Sequence, residues 1–147
     1  MKIEKILVPV DFSESSSVAV DHAIEFAKVF GASIDLLHSY QIQPSAVVPY
    51  QVAFPAGIFE ELREAAKEQL AKVNAKVESA GVEGRMHLSQ NLPSAAICDA
   101  AKDLSSDLIV MGTRGLTGLK HIALGSVAER TVRSAPCPVL TVGHDQD

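Results

Sequence analysis

The sequence predicts an α/β fold in which helices cover both faces of an open, five-stranded parallel β-sheet. Short apolar runs alternate along the chain with longer stretches whose apolar residues recur every three to four positions. Such alternation of strands and helices is typical of βαβ units, whose strands lie parallel. No composition break, low-complexity run or internal repeat interrupts the pattern, so we expect a single domain over residues 1–147.

The first strand–helix–strand unit carries the strongest local signals. Residues 6–10 form an almost unbroken apolar run, as expected of a strand that is covered on both faces. Ser13 suits the N-cap of the following helix, and Gly31 suits the position just after its last turn. A second strand is expected over residues 32–39.

The remaining elements continue the alternation. Residues 41–55 contain three prolines and no periodicity, so we expect a loop there. An amphipathic helix is predicted over residues 57–79, ended by Gly81, with Glu68 and Lys72 able to pair on its outer face. A weaker strand is predicted next, over 82–89, followed by a helix that begins near Pro93. The chain then continues with a strand over 107–111, a glycine-rich loop over 112–124, a helix over 125–133 and a strand over 139–142.

Composition and charge argue against several classes of function. The net charge is -5 at pH 7, whereas nonspecific nucleic-acid binding requires a basic surface. No apolar stretch approaches the ~20 residues of a membrane-spanning helix, and a secretory signal pattern is absent, so we expect a cytoplasmic protein. The two cysteines and five histidines form no CxxC pair and no Cys/His cluster, so we expect neither a disulfide framework nor a structural metal site.

The topology predicts where a ligand binds. In open parallel sheets, ligands lie beyond the carboxyl ends of the strands, near the point where strand order reverses. Three segments then come together: residues 11–12, residues 38–39 and the loop that begins at Gly112.

That loop is the most informative segment of the chain. Gly112, Gly115 and Gly118 lie at intervals of three directly after an apolar strand, and Gly125 and Ser126 open the next helix. Glycine lets backbone N–H groups approach an anion closely, and a helix N-terminus adds unpaired N–H donors and a partial positive charge. The pattern therefore predicts a phosphate-binding loop.

Three better-known motifs do not match. A Walker A loop requires a Gly-Lys-Ser/Thr ending, which is absent here because Lys120 is followed by His121. The first strand is followed by Asp11 and Phe12 in place of a GxGxxG fingerprint, and no GxSxG nucleophile elbow occurs.

The spacing Gly112-x2-Gly115-x9-Gly125-Ser126 resembles the G-2x-G-9x-G-[S/T] nucleotide motif of the universal stress protein family. The resemblance covers nearly the whole chain. Residues 6–13 resemble the family's opening strand and acidic turn, residues 36–38 its second strand, and residues 135–140 its closing strand. Asn91 departs from the family by replacing a glycine that is common before the third helix, and asparagine tolerates the left-handed conformation that a glycine would adopt.

This resemblance implies strand order 3-2-1-4-5 and binding of ATP or AMP, with Mg²⁺ accompanying ATP. It implies that phosphates are held by Gly112, Gly115, Gly125, Ser126 and the backbone of Val127. It also implies that Asp11 contacts the nucleoside, that the backbone at Ser39 recognises adenine, and that the pocket is lined by Pro9, Val10 and Met111. Finally, it implies a homodimer that pairs through the last strand, residues 139–142.

Each of three side chains near the expected site has two possible roles. Asp11 could bind ribose hydroxyls or cap the following helix; a carboxylate that faced phosphates would repel them unless a metal intervened. Arg114 could neutralise a phosphate or remain a solvated loop charge. His38 could line the pocket or be a buried histidine with its hydrogen bonds satisfied.

Three functions remain open at this level. The first is a regulatory or stress-response protein that binds an adenine nucleotide and is not a conventional enzyme, although slow ATP hydrolysis is compatible with it. The second is an interaction protein of the same fold that binds no nucleotide. The third is a related enzyme, such as an ATP pyrophosphatase, which would carry an SGGxDS-like loop where this chain has residues 10–15, or an electron-transfer flavoprotein subunit.

Overall fold

A twisted parallel sheet organises the molecule. The structure is a computed structural model that describes residues 1–41, 56–115 and 124–143. Within those ranges the sheet has the strand order β3-β2-β1-β4-β5, and all its pairings are parallel. Its strands are β1 (Lys5–Pro9), β2 (Ser33–Ser39), β3 (Gly84–Ser89), β4 (Leu108–Gly112) and β5 (Val139–Val142). The predicted fold class and strand order are confirmed.

Four helices in the described ranges connect the strands, two on each face of the sheet. They are α1 (Glu14–Phe30), α2 (Ile58–Ser79), α3 (Pro93–Asp103) and α4 (Ser126–Ser134). Alternate residues of β1 point to opposite faces, so Ile6 and Val8 pack with α1 and α2, whereas Leu7 packs with α3 and α4. Because both faces are covered, the central strands are mostly apolar, and Asp35 of β2 is the exception that is fully buried.

The helix ends follow from local chemistry. The Ser13 hydroxyl caps α1 by accepting a hydrogen bond from the Ser16 N–H, and Gly31 ends the helix in the left-handed region with φ 69°. Both predictions are confirmed, and the predicted strands and helices fall within a few residues of the observed ones. None of the described helices is both long and apolar enough to cross a membrane.

Three details differ from expectation or lie outside the described residues. No carboxylate of the described residues lies within ion-pairing distance of Lys72, so the expected pair with Glu68 is wrong. Asn91 is not in the left-handed region; its N–H donates to Ser89 Oγ and its carbonyl accepts from Ser39 Oγ. Most of the predicted 41–55 loop and residues 116–123 of the glycine-rich loop fall outside the described ranges.

Candidate functional site

A cavity of about 410 Å³ opens at the carboxyl ends of β1, β2 and β4, where the strand order reverses. It brings together residues that lie more than 100 positions apart in the sequence. Every predicted site residue lines it: Pro9, Val10, Asp11, Ser39, Met111, Gly112, Arg114, Gly115, Gly125, Ser126 and Val127.

The cavity also has walls that the sequence did not indicate. Leu37 precedes the segment 38–39 that was predicted to reach the site, so a wider window around the end of β2 would have included it; His38 and Thr113 lie within predicted segments. Ser16 comes from the first turn of α1. Pro93, Ile97 and Ala128 come from α3 and α4, and only the packing of these helices against the sheet brings them to the site.

The turn between β1 and α1 is held by its own side chains. Asp11 Oδ1 accepts hydrogen bonds from the Ser13 N–H, at 3.0 Å, and from the Ser13 hydroxyl. Phe12 between them has φ 63°, a left-handed conformation that costs a non-glycine residue about 1–2 kcal/mol. Asp11 therefore shapes the turn through one carboxylate oxygen while its side chain also lines the cavity.

His38 lines the cavity, as one of its two interpretations predicted, and it is half-buried rather than a core histidine. Its Nδ1 lies 2.7 Å from the carbonyl oxygen of Val10, and because a carbonyl only accepts, Nδ1 must carry the proton. The imidazole ring also packs on Phe12, with ring centroids 4.4 Å apart. His38 thus lines the cavity and ties the end of β2 to the end of β1.

Gly112 is required for close packing, and Gly115 and Gly125 also have close neighbours. A Cβ on Gly112 would overlap Ser15 Oγ and lie 2.9 Å from the Ser15 carbonyl oxygen, so α1 could not approach β4. A Cβ on Gly115 would lie 3.2 Å from Asp11 Oδ2, and one on Gly125 would lie 3.2 Å from the Thr113 carbonyl oxygen. None of the three glycines has a positive φ, so the need for glycine is one of space.

The N-terminus of α4 faces the cavity with its backbone amides. Gly125 is the N-cap and has no side chain with which to cap the helix, and its own N–H donates to the Thr113 carbonyl oxygen at 2.6 Å. The first-turn amides of Ser126, Val127 and Ala128 have no partner within the helix, and these residues line the cavity. The arrangement presents N–H donors and a partial positive charge to a ligand.

Two charged side chains, Arg114 and Asp11, line the cavity. Arg114 lines it beside α4, and its backbone N–H donates to Ser15 Oγ at 3.4 Å. The Asp11 carboxylate lies on the β1 side. Among the described residues, no group of three or more His, Cys, Asp or Glu side chains could hold a metal ion. The geometry suits a ligand with an anionic end near α4 and hydrogen-bond donors near Asp11.

Comparison with known proteins identifies the family. Residues 2–143 match the model of the universal stress protein family. The chain belongs to the universal stress protein family.

Individual relatives agree with that assignment. This universal stress protein is 40% identical over 139 residues to universal stress protein MJ0531 of Methanocaldococcus jannaschii, covering 95% of this chain and 81% of the relative. The solved structure of MJ0577, from the same organism, superposes with a TM-score of 0.84 at 30% identity and covers 100% of both chains. The universal stress protein of Archaeoglobus fulgidus, solved in complex with dAMP, superposes with a TM-score of 0.67 at 26% identity, covering 96% of this chain and 98% of that one.

Proposed function

We propose that this protein binds an adenine nucleotide, ATP or AMP, and acts as a regulatory or stress-response protein built from one domain over residues 1–147. The observation that carries the proposal is the N-terminus of α4. Its uncapped amides and the packed glycines at Gly112, Gly115 and Gly125 line one end of a cavity at the strand-order reversal. Backbone amides at a helix N-terminus bind phosphates without a dedicated side chain.

In this proposal, each predicted residue has one role. Gly112, Gly115, Gly125 and Ser126, with the Val127 amide, hold the phosphates, and Arg114 neutralises part of their charge. Asp11 accepts hydrogen bonds from ribose hydroxyls, since a carboxylate directed at phosphates would repel them. The backbone at Ser39 reads the adenine edge, while the base packs against Pro9, Val10 and Met111.

The dAMP complex of the Archaeoglobus fulgidus relative supports an adenine nucleotide as the ligand class. Mg²⁺ would accompany ATP through its phosphates, because the described residues offer no carboxylate cluster for a cation.

We also propose that the protein is not a conventional enzyme. Two proton acceptors line the described part of the cavity, Asp11 Oδ2 and His38 Nε2, and in this proposal both belong to the nucleoside end of the site and not to the phosphates. A general base needs an acceptor within reach of the attacking water. Analysis of the products after incubation with ATP tests this point, and rapid release of ADP or AMP would contradict it.

Dimerisation through β5 is part of the same proposal. β5 pairs with β4 on one side and ends the described sheet on the other, and an apolar edge strand tends to be covered. Pairing of residues 139–142 with the same strand of a second copy would cover it. A mass from light scattering equal to two chains is expected, and a mass of one chain would refute it.

The decisive experiment is calorimetric titration of ATP and AMP into nucleotide-stripped protein. Gly115→Val should weaken binding by about tenfold or more, which corresponds to about 1.4 kcal/mol, because its side chain would enter the cavity beside Asp11. Gly143→Val is the matched control, since a Cβ on Gly143 meets nothing within 4 Å. Thermal melting verifies that both variants fold.

Two results would overturn the proposal. If the unmodified protein binds neither nucleotide, the second function, an interaction protein without nucleotide, takes its place. If Gly115→Val binds as tightly as Gly143→Val, the nucleotide lies elsewhere and the assignment of the glycine loop is wrong.

A further inference from the structure

A second cavity, of about 270 Å³, lies between α1 and α2 beside the β1–α1 turn, and it shares Val10 and Ser16 with the lining of the first cavity. Its floor is apolar and well packed: Val20 is 1% exposed and Val10 is 5% exposed. Phe12 and Val73 complete the apolar walls. The rim carries the hydroxyl-bearing residues Ser13 and Ser17 and two lysines of α2.

The two lysines leave a net positive charge at this cavity. Lys76 Nζ lies 2.5 Å from Asp21 Oδ1 of α1, so its charge is balanced by an ion pair between the two helices. Lys72 lies one turn away and lines the same cavity, and no carboxylate of the described residues is within ion-pairing distance of it. The sequence suggested a partner, Glu68, that the structure does not provide.

The donors at this rim are side chains. The Ser16 N–H donates to the Ser13 hydroxyl and the Ser17 N–H donates to the Ser13 carbonyl, so the first-turn amides of α1 are partly used within the helix. The Ser13 hydroxyl already donates to Asp11, so an anion here would be held by the Lys72 ammonium and the Ser17 hydroxyl, with apolar surface below it. That combination differs from the first cavity, where backbone amides of α4 face the ligand.

We propose that the cavity between α1 and α2 is a second binding site, for a small amphipathic carboxylate whose anionic group meets Lys72 and whose apolar body packs on Val10, Val20 and Val73. The inference does not depend on nucleotide binding at the first cavity. The ammonium of Lys72 and a ligand carboxylate can form a charge-assisted hydrogen bond. Packing the hydrocarbon part of the ligand on the apolar walls removes apolar surface from water, which also favours binding. The volume suits a ligand smaller than a nucleotide.

The experiment is a titration of the full chain with octanoate, followed by NMR of methyl groups and backbone amides. We expect saturable shifts at the Val20 and Val73 methyls. Lys72→Gln should weaken octanoate binding by about tenfold, equivalent to about 1.4 kcal/mol, because it removes the charge and retains most of the side chain. Lys67→Gln, on an exposed position of α2, is the matched control and should leave the affinity unchanged.

Two further measurements test separately the role of the ligand's charge and the location of binding in the cavity. The neutral probe 1-octanol should bind the unmodified protein more weakly than octanoate does. Its affinity for Lys72→Gln should equal its affinity for the unmodified protein. Ser17→Trp, at an exposed position on the rim, should fill the cavity and abolish the methyl shifts in a protein that still melts cooperatively. The proposal is overturned if octanoate leaves Val20 and Val73 unshifted, if octanol binds as tightly as octanoate, or if Lys67→Gln and Lys72→Gln lose affinity equally.

Discussion

Asp35 is a buried carboxylate in β2, and its environment predicts a large effect of one substitution. Its side chain is 1% exposed, and Oδ1 accepts a hydrogen bond from His87 Nε2 on the neighbouring strand β3 at 2.8 Å. Arg85 Nη1 is 3.9 Å from the same oxygen, and Oδ2 is buried without a hydrogen-bond partner in the described structure. His87 is therefore the group that makes this buried charge tolerable.

His87→Leu should destabilise the fold. Removing the hydrogen-bond partner of a buried polar group costs about 1–3 kcal/mol, and more when the group is charged. Arg85 stays close and the His87 side chain is 30% exposed, so water and the guanidinium compensate in part, and we expect a loss of about 2–3 kcal/mol. For a chain of this length that corresponds to a melting temperature lower by roughly 4–12 °C.

Urea denaturation of the single and double variants measures the effect. Asp35→Val in the His87→Leu background removes the orphaned charge, so the double variant should recover most of the lost free energy of unfolding. His22→Leu, at an exposed histidine of α1, is the control and should change stability by less than about 0.5 kcal/mol. A His87→Leu cost below 1 kcal/mol, or a double variant no more stable than the single, would refute this account.

Three further predictions concern packing, capping and thiol chemistry. Gly112→Ala should lower the unfolding free energy by about 2 kcal/mol or more, measured by urea denaturation, because the new Cβ meets Ser15 of α1; a neutral effect would contradict the close packing. Ser13→Ala should cost about 1 kcal/mol in the same assay by removing the cap of α1, and an unchanged midpoint would contradict that role. Burial raises the pKa of the Cys98 and Cys137 thiols above the usual value, so less thiolate is present at pH 7. At pH 7, iodoacetamide should therefore alkylate both thiols more slowly than it alkylates a free cysteine. The alkylation rates should continue to rise above the ordinary thiol pKa, because more thiolate forms there. Equal rates for the protein thiols and free cysteine at pH 7 would refute this prediction.

Much of the site could be predicted because its residues follow strand ends. Strands of a parallel sheet end at one edge, so a strand ending at Pro9 or Gly112 places the next residues at that edge, whatever the loops do. The roles of individual glycines could not be predicted in the same way. The glycine pattern predicted close approach of the backbone to an anion, but it did not show that a Cβ on Gly112 would meet Ser15 or that one on Gly125 would meet the Thr113 carbonyl oxygen.

The sequence by itself determined the order of elements, the caps at Ser13 and Gly31, and the family, because periodicity and capping depend on residues within a few positions of each other. Only the tertiary structure decided what meets across the fold. It placed Lys72 at the second cavity without its expected partner, paired His87 with the buried Asp35, and brought α3 to the first cavity. Such contacts join segments tens of residues apart, and their geometry depends on how helices pack on the sheet, which local sequence patterns do not encode.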